Sequence, residues 1–455
     1  MIGNPPYVRI QNLQEYSPEQ PPYFKTNYHS AGKGNYDIYV VFVEKGLQLL
    51  NPQGRLGFIL PHKFFNAQYG EPLRRVIAEG QHIEQIVHFG DQQVFETATT
   101  YTCLLFLSRE TRSQANVTMV SSLDDWRTAE QGTTAIVEAS GFGASEWNVT
   151  VGDAAELYSR LLDMPRKLGE IATVFVGTQT SADDVFVIEE CAVGGGKVRG
   201  YSPALDAPVE VELAATVPFL RGKEIRRYAD LNGASRLICP YDIRKDSFSL
   251  IDEERFATAY PKAYQHLAAN KPKLAGRERG KYAGANWYAF GYPKSMTLFQ
   301  KDKIVVPDYN NEASFTYDTR GHYYKTGYGV ITAVPGTSPL YVLGLLNSRL
   351  LYALLSSFTT KLRGGYVRFW TQYISQLPIR PIDFSDPADL ARHDRMVGLV
   401  QTMLDLHQRL PAAQTPRDRE LLQRQIADTD RAIDALVYEL YDLTAEEIAL
   451  VEGER

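Results

Sequence analysis

The sequence has little cysteine and no long uninterrupted apolar segment. Cys103, Cys191 and Cys239 stand far apart and match neither a disulfide framework nor a metal-ligand spacing. We therefore expect no metal site and a reducing, cytoplasmic compartment. The most apolar stretch, Leu340 to Leu355, is interrupted by polar residues, and no basic-then-apolar leader opens the chain. We expect neither secretion nor a membrane span.

The chain also lacks an excess of positive charge. Its formal net charge is -6 over 455 residues, which argues against a protein that coats nucleic acid by bulk charge. Local basic patches nevertheless set the field in a binding cleft. Such segments occur at Arg221–Arg227, Lys271–Lys281 and Lys361–Arg368. A DNA-binding cleft is therefore compatible with the composition, although each segment alone is also typical of a solvated surface.

Hydrophobic periodicity predicts an α/β region near the start of the chain. Strand-like apolar runs alternate with helical ones from 37 to 107, which indicates a sheet covered by helices. Leu56–Leu60, Ile83–Phe89 and Tyr101–Leu107 are the predicted strands, and the last two are close enough to form a hairpin-like pair at a sheet edge. We expect the opening strands of such a sheet to be missing, because only three residues precede Asn4.

Composition divides the chain into four predicted segments. Residues 1–110 carry the α/β pattern, and residues 111–152 form a connection rich in Ser, Thr, Gly and Ala, with some strand content. Short strands, many turns and scattered aromatics predict an α+β region over 153–383. Residues 384–455 are predicted to form a helical C-terminal segment.

Two signals support that helical prediction. Met396 and Val400 recur at helical spacing within 384–455, as do later apolar residues. Thr444 followed by Glu447 is typical of a capping box at the start of a final short helix.

The tetrapeptide Asn4-Pro5-Pro6-Tyr7 suits the task of holding a planar amine against an aromatic face. The two prolines fix φ and remove two backbone donors, so the local carbonyls are acceptors without a competing amide. The Asn4 side-chain oxygen and the Pro5 carbonyl can each accept one hydrogen of an exocyclic amine, which leaves the nitrogen lone pair available to attack an electrophilic methyl group. Tyr7 can stack on the ring of a flipped base. A proline turn that leads into a domain is the alternative interpretation.

The tetrapeptide and the order of segments around it resemble the gamma-type N6-adenine DNA methyltransferases, and more closely the TaqI-like and type IIG restriction-modification enzymes. In that family the tetrapeptide follows the fourth strand of an S-adenosylmethionine-binding, Rossmann-like domain. The resemblance implies that residues 1–110 are the C-terminal half of the catalytic domain, without the cofactor-binding strands. The matching segments are Ile2-Gly3, Gly54–Pro61, Leu73–Arg75, Ile83–Gly90, Val94–Glu96 and Thr99–Cys103.

The resemblance also implies roles for individual residues. Asn4 and Pro5 would bind the target amine, with Pro6 keeping the motif rigid, and Tyr7 would stack on the flipped adenine. Phe95 aligns with the aromatic residue that packs against the base's other edge, although a place in the core is an equal alternative. Adenine N6 needs no strong general base, because its proton becomes acidic as the N-methyl bond forms. The absence of a convincing catalytic histidine or cysteine therefore counts neither for nor against this function.

The cofactor-binding features of the family are missing from this chain. They are a glycine-containing loop after the first strand and an acidic residue after the second, both upstream of the tetrapeptide. Gly194–Gly196 is no substitute, because it lacks a strand-turn-helix frame. We expect the complete enzyme to use S-adenosylmethionine, and this chain alone neither to bind it nor to methylate DNA.

The later part of the chain resembles the family's target-recognition domain. Basic residues interleaved with Tyr, Trp and Gly suit phosphate contacts and readout of groove edges. The matching segments include Lys167–Ile171, Gly177–Thr180, Leu220–Ile225, Lys303–Pro307, Leu346–Ser348, Arg363–Tyr366 and Gln376–Ile379. The implied DNA contacts are Arg221, Lys223, Arg363, Tyr366 and Arg368, each of which can equally be structural.

These features predict a site-specific adenine-N6 DNA methyltransferase of a restriction-modification system, in which this chain supplies base capture and DNA recognition. Its expected partner is double-stranded DNA with a flipped adenine. Either the chain is a truncated product, or a separate polypeptide carries the cofactor-binding half. One alternative is a non-catalytic DNA-specificity module with a vestigial tetrapeptide. Another is a methyltransferase that acts on RNA or protein. Type IIG enzymes also carry a nuclease. This sequence shows no acidic pair followed by Glu-x-Lys that would indicate one.

Overall fold

The computed structural model describes residues 1–95, 100–147, 149, 151–152, 154–359, 361–362 and 364–453. The chain divides into two compact units. Unit 1 comprises Met1–Asp163, Ala353–Arg368 and Ala445–Arg455, and unit 2 comprises Met164–Tyr352 and Phe369–Thr444. Residues 353–368, which the sequence pattern places inside the recognition region, therefore group with the N-terminal residues.

Strands are distributed through most of the chain. They are β1 (Ile2–Gly3), β2 (Arg55–Pro61), β3 (Ile83–His88), β4 (Thr102–Ser108), β5 (Gln114–Met119), β6 (Thr133–Glu138), β7 (Ala172–Val176), β8 (Val187–Gly194), β9 (Lys197–Ser202), β10 (Ala207–Glu212), β11 (Thr216–Leu220), β12 (Ser235–Ile238), β13 (Tyr241–Ile243), β14 (Phe248–Leu250), β15 (Lys303–Val306), β16 (Tyr309–Asn310), β17 (Thr316–Asp318), β18 (Tyr323–Tyr324), β19 (Tyr328–Thr332), β20 (Lys361–Leu362) and β21 (Tyr366–Arg368).

Helices are short in the first two thirds of the chain and long near its end. They are α1 (Ile10–Tyr16), α2 (Gln20–Asn27), α3 (Tyr39–Leu49), α4 (Glu71–Glu79), α5 (Leu123–Ala129), α6 (Ala154–Leu162), α7 (Leu168–Ile171), α8 (Asp183–Phe186), α9 (Glu253–Ala259), α10 (Pro261–Ala269), α11 (Lys271–Ala275), α12 (Arg277–Gly280), α13 (Pro339–Leu346), α14 (Arg349–Phe358), α15 (Thr371–Ile374), α16 (Pro387–Arg409), α17 (Pro416–Leu440) and α18 (Ala445–Glu452).

Unit 1 is built on a mixed sheet whose described strands follow the order β1-β2-β4-β3-β5-β6. β1 runs parallel to β2, whereas β4 is antiparallel to both of its neighbours, β2 and β3. The predicted pairing of β3 with β4 is present, but its expected position at a sheet edge is wrong. β5 pairs with β3 and is followed by β6, so the segment described above as a connection extends the sheet beyond the pair.

The core of unit 1 forms where α3 packs on this sheet. Tyr39, Val40, Val43 and Leu47 recur at helical spacing and are buried, which gives α3 the apolar stripe that a covering helix needs. A side chain at Gly46 would place its Cβ 3.0 Å from Leu56 of β2. The missing side chain therefore allows the helix to approach the strand closely.

Unit 2 contains two larger sheets among its described residues. One has the strand order β10-β9-β8-β12-β11-β18 and the other the order β17-β15-β19-β7. β8 and β9 form a hairpin whose turn includes Gly195 and Gly196 at φ values of 60° and 73°. These positive angles suit glycine in a tight turn. The glycine run is thus a hairpin turn.

Within unit 2, the long helices α16 and α17 pack on each other, and α16 also packs on α13. Met396 and Val400 of α16 are buried, and a Cβ at Gly344 of α13 would lie 2.4 Å from the Met396 sulfur. Glycine therefore permits this close helix packing. Among the described residues, no single helix has the length and apolarity to cross a membrane; α13 and α14 meet those criteria only when combined across a 62° bend.

Candidate active site

The tetrapeptide begins where β1 ends. Gly3 pairs with Phe58 of β2, and a Cβ at this position would lie 2.9 Å from the Phe58 ring. Glycine is therefore required for the two backbones to approach. Because β4 is antiparallel to both β2 and β3, the strands β1, β2 and β3 point the same way and their carboxyl ends lie at one edge of the sheet. Ligands of open α/β sheets bind at such edges.

Asn4 and Pro5 occupy different environments. The Asn4 side chain is exposed and forms no hydrogen bond within the described part of the chain, whereas Pro5 is buried and Pro6 is exposed. Downstream, the motif is fixed by two backbone hydrogen bonds. The Ile38 amide donates to the Val8 carbonyl at 2.9 Å, and the Ile10 amide donates to the Tyr36 carbonyl at 2.9 Å.

The Tyr7 ring is held at its hydroxyl end. The hydroxyl donates a hydrogen bond to the Ile59 carbonyl at 2.9 Å, and the ring meets Tyr39 edge to face, with centroids 6.4 Å apart. No described aromatic ring is stacked parallel on Tyr7. Burial, with a smaller effect of Cys103, raises the pKa of Tyr7 to about 12. The hydroxyl therefore remains a donor, and the ring orientation stays fixed over the physiological pH range.

Tyr7 lines a cavity of about 290 Å³ in unit 1. Two further ring side chains, His62 and Tyr101, line it as well, and their ring centroids are 6.3 Å apart. The cavity therefore combines flat rings with hydrogen-bonding groups, which is the composition that planar, polar ligands require. Its other lining residues are Arg9, Asp37, Pro61, Lys63, Asn66, Thr100 and Thr359.

The returning segment 353–368 contributes to this cavity. Asn66 donates from Nδ2 to the Phe358 carbonyl at 2.7 Å, and the neighbouring Thr359 donates from Oγ1 to the Arg368 carbonyl at 2.6 Å. These bonds fix Thr359 in the cavity wall. Asn66 and Phe358 are 292 residues apart in the sequence. Sequence patterns therefore could not predict that this segment contributes to the cavity.

The charged residues of the cavity are of both signs. Burial raises the pKa of Asp37, and the nearby Lys63 and Arg9 oppose this shift. An isolated antiparallel β-bridge also joins the backbones of Asp37 and Arg9. The Arg, Lys, Asp and Glu residues of the lining are therefore two cations, Arg9 and Lys63, and one carboxylate, Asp37.

Sequence analysis missed a contact between two histidines beside Tyr7. Neither histidine was assigned a role from the sequence. His62 directly follows β2 and His88 ends β3, so both stand at the same sheet edge as the tetrapeptide. Nδ1 of His62 and Nε2 of His88 are within hydrogen-bonding distance, and the ring centroids are 4.3 Å apart. The sequence signal that could have identified the two histidines is their position at the ends of two predicted strands.

Phe95 is half-buried and is not among the residues that line the Tyr7 cavity. Its role beside the base therefore remains a prediction. The four residues that follow it lie outside the described chain.

In unit 2, Arg221 and Lys223 lie on one short turn after β11. The Arg221 guanidinium forms an ion pair with Glu189, and its backbone amide donates to the Glu224 carboxylate at 2.6 Å. Lys223 is exposed. Arg221 also lines a cavity of about 370 Å³ together with Lys325, which pairs with Asp183 at 2.6 Å.

Tyr366 and Arg368 belong to unit 1, on strand β21. β21 pairs with β20 in a hairpin in which Leu362 faces Tyr366. Tyr366 is exposed and Arg368 half-buried. Arg363 lies outside the described residues. The predicted DNA contacts are thus divided between the two units.

The described residues were compared with the ligand patterns of a metal site and of a glycine-containing cofactor loop. They contain no cluster of three or more His, Cys, Asp or Glu side chains that could hold a metal ion. The glycine run at 194–196 is a hairpin turn and provides no strand-turn-helix cradle for S-adenosylmethionine.

Comparison with known proteins connects both units to one class of enzyme. Residues 1–95 match the family of the Eco57I restriction-modification methylase, and residues 217–379 match the TaqI-like C-terminal specificity domain. The chain is similar to type II restriction-modification methyltransferases. The resemblance expected from the tetrapeptide and its surroundings is therefore confirmed, and a region of the DNA-specificity class accompanies the methylase region.

Two curated members of this class are similar along most of the chain. The type II restriction enzyme and methyltransferase RM.Eco57I of Escherichia coli is 26% identical over 465 residues, which cover 97% of this chain and 46% of that protein. The type II methyltransferase M.PaeR7I of Pseudomonas aeruginosa is 28% identical over 412 residues, which cover 85% of this chain and 65% of that protein. The chain thus spans about half to two thirds of the length of these relatives.

A solved structure supports the fold. The type IIL restriction-modification enzyme MmeI in complex with DNA superposes with a TM-score of 0.59 at 12% identity, over 99% of this chain and 56% of that protein. At this identity the similarity supports a mixed α/β architecture and no individual role for a residue.

Proposed function

We propose that this chain is the base-capturing and DNA-recognising part of a site-specific adenine-N6 DNA methyltransferase of a restriction-modification system. The observation that carries the proposal is the Tyr7 cavity at the carboxyl ends of β1, β2 and β3, in a region that matches a restriction-modification methylase family. The complete enzyme uses S-adenosylmethionine, which supplies the electrophilic methyl group.

Base capture follows from the groups at the end of β1. The exposed Asn4 side chain and the Pro5 carbonyl accept the two hydrogens of the adenine amine. Tyr7 stacks on the flipped ring, since its hydroxyl is anchored to Ile59 and no described ring covers it. A flipped base is commonly held by hydrogen bonds to its edge and by stacking. Phe95 closes the base's other edge.

Sequence recognition is assigned to the region that matches the specificity domain. Arg221 and Lys223 lie within the matched residues 217–379, and Lys223 is exposed on its turn. Contacts of Lys223 with phosphate position the duplex, whereas Arg221 with its fork of donors suits a base edge. Tyr366 and Arg368, with Arg363, supply further contacts from the β20–β21 hairpin.

The cofactor-binding half pairs with the sheet edge formed by β1. β1 has a strand neighbour on one side only among the described residues, and its Ile2 is 94% exposed. An edge strand presents unpaired backbone N–H and C=O groups that can pair with another strand. A parallel strand from the upstream half, on the same or a separate polypeptide, therefore completes the sheet. The chain by itself does not methylate DNA.

Selection from a random duplex pool tests sequence recognition. The purified chain should enrich a motif that contains adenine, at physiological as well as low salt. Lys223→Ala should weaken binding to all sequences alike and reduce the salt slope by about one, whereas the exposed Lys245→Ala in the same unit serves as the matched control. Retention without any enriched sequence contradicts the assignment of recognition to this chain.

Base capture is tested on the selected duplex. Placing an abasic site opposite the target adenine removes the pairing that flipping must break, so affinity should rise about tenfold or more. Tyr7→Ala should abolish this gain, and Tyr16→Ala, which alters an exposed tyrosine of the same unit, should preserve it. A gain that is independent of Tyr7 favours the alternative of a specificity module with a vestigial tetrapeptide.

A further inference from the structure

We propose that Arg9 and Lys63 form a phosphate-binding subsite in the exposed wall of the Tyr7 cavity, which holds the phosphodiester beside the flipped adenine. The inference rests on the proposed function, because it assigns the base to this cavity. It adds a contact to the DNA backbone, separate from the groups that hold the amine and the ring. The ligand of the cavity is then a nucleotide within a strand rather than a free base.

The backbone at Arg9 has a fixed position beside the cavity. The β-bridge joins Arg9 to Asp37, and next to it the Ile10 amide donates to the Tyr36 carbonyl at 2.9 Å. The Arg9 side chain is exposed. It therefore starts from an ordered backbone only two residues after Tyr7.

The backbone at Lys63 is fixed by the core. Phe64 and Phe65, which directly follow it, are buried, and the Lys63 carbonyl accepts a hydrogen bond from the Ala67 amide at 3.0 Å. The Lys63 side chain itself is exposed. Because both Arg9 and Lys63 start from ordered backbone, less freedom is lost when they bind a ligand.

The charges of Arg9 and Lys63 lie close to the Asp37 carboxyl. Burial raises the pKa of Asp37, and both cations oppose this shift. Nevertheless, neither cationic side chain forms an ion pair or hydrogen bond in the part of the chain that the structure describes. Two cations therefore face one carboxylate in the lining, and the excess of positive charge is complementary to an anion.

The cavity wall combines the features that a flipped nucleotide requires. The half-buried Tyr7 ring provides a flat surface, whereas Arg9 and Lys63 are exposed parts of the same lining. A flipped nucleotide turns about its own backbone, so its base enters a pocket while its phosphodiester stays outside. Guanidinium and ammonium groups bind phosphate by charge-assisted hydrogen bonds. The exposed cations therefore suit the phosphodiester and the ring suits the base.

Neutral methylphosphonate linkages test this contact on the duplex with an abasic site opposite the target adenine. Replacing the phosphate directly 5′ or 3′ of that adenine should weaken binding to the wild-type chain about tenfold at one of the two positions. In the double variant Arg9→Gln with Lys63→Gln, the same replacement should change affinity by about twofold or less, because the groups that bind the phosphate are gone. The control Lys45→Gln alters an exposed lysine of α3 outside the cavity lining and should keep the full effect.

Salt dependence provides a second measurement on the same duplexes. The double variant should reduce the slope of log affinity against log salt by about one on the unmodified duplex and leave it unchanged on the methylphosphonate duplex. Lys63→Arg, which keeps the charge and the donors, should retain the wild-type slope.

The failure of the subsite can be distinguished from the failure of base capture. If methylphosphonate at both positions affects the wild type and the double variant equally, while the abasic site still gives a gain that depends on Tyr7, the phosphate subsite is wrong and base capture stands. The wild-type measurement needs no substitution, so absence of any methylphosphonate effect there overturns the subsite as well. If the abasic site gives no gain that depends on Tyr7, the proposed base capture fails and the inference fails with it.

Discussion

Replacing Asp318 by asparagine should destabilise unit 2 strongly, because Asp318 is the counterion of a buried lysine. Lys303 Nζ lies 2.6 Å from Asp318 Oδ2, and both side chains are 0% exposed. The same carboxylate accepts hydrogen bonds from the His322 and Arg320 amides at 2.9 Å each, and contacts His322 Nδ1 at 2.8 Å. The carboxylate is thus surrounded by donors in the interior of the unit.

These donors determine the pKa of Asp318. Burial alone would raise it, but the hydrogen bond from His322 and the charge of Lys303 outweigh burial and lower the pKa from 3.8 to about 2. A carboxyl whose pKa is depressed by folding stabilises the protein above its unfolded pKa. That contribution, about 2 to 3 kcal/mol, should be lost as the pH falls from about 4 through about 2.

The substitution costs more than this contribution at neutral pH. Asp318→Asn removes the negative charge and leaves the Lys303 charge buried without a counterion, and breaking a buried pair in this way costs about 3 to 5 kcal/mol. Adding Lys303→Met to Asp318→Asn should recover much of the loss, because no unpaired charge remains and the Asn oxygen still accepts hydrogen bonds from the backbone amides.

Urea unfolding of the full chain at pH 7, followed by tryptophan fluorescence and circular dichroism, measures these differences. The exposed Asp246→Asn should change the free energy of unfolding by less than about 0.5 kcal/mol. The reasoning is refuted if Asp318→Asn costs less than about 1 kcal/mol, or if the double variant is as unstable as the single one.

Three further predictions follow from the same structure. Arg277→Lys should lower the free energy of unfolding by about 2 kcal/mol or more in urea titrations, because the buried guanidinium donates to several backbone carbonyls that a lysine cannot reach together. Burial raises the pKa of Asp434 to about 6, so the stability linked to its protonated form is lost as the pH rises through about 6. Asp434→Asn should therefore be more stable than the wild type at pH 8, by about 2 to 3 kcal/mol at most, and nearly equal to it at pH 4; equal differences at both pH values would contradict this. Tyr7→Phe should retain the affinity gain on the abasic duplex, since the ring stays, and lose no more than about 1 kcal/mol of stability with the bond to Ile59.

Local patterns predicted elements well where burial alternates along one segment. The apolar run at 56–60 correctly predicted strand β2, and the pattern of Thr444 with Glu447 correctly predicted the final helix α18. Such signals are local, because hydrogen bonding and side-chain burial within one element depend on neighbouring residues. The family resemblance likewise rested on ordered local segments.

The sheet of unit 1 could be predicted only in part. The pairing of β3 with β4 followed from their short separation, but the extension by β5 and β6 did not. β6 is mostly exposed along its length, so it carries little of the apolar alternation that identifies a strand. Its place in the sheet depends on pairing with β5, a non-local choice.

The role of basic residues was also decided by tertiary contacts. Arg277 stands in a segment that reads as a basic surface patch, yet it is 7% exposed and donates to backbone carbonyls of its own unit. Lys273 nearby pairs with Asp184. The position of a charged residue in the sequence does not show whether its side chain is exposed to solvent or donates hydrogen bonds to groups within the protein.

The sequence by itself determined the chemistry at the end of β1. Asn4, Pro5 and Tyr7 lie within four successive residues, so any strand that ends at Gly3 brings their acceptors and ring together. Only the tertiary structure decided what surrounds them. Insertion of β4 between β2 and β3 places His62 and His88 at one sheet edge, and the return of the chain adds Thr359 to the cavity. These contacts join residues that are distant in sequence, and they form only when strand order and packing bring the residues together.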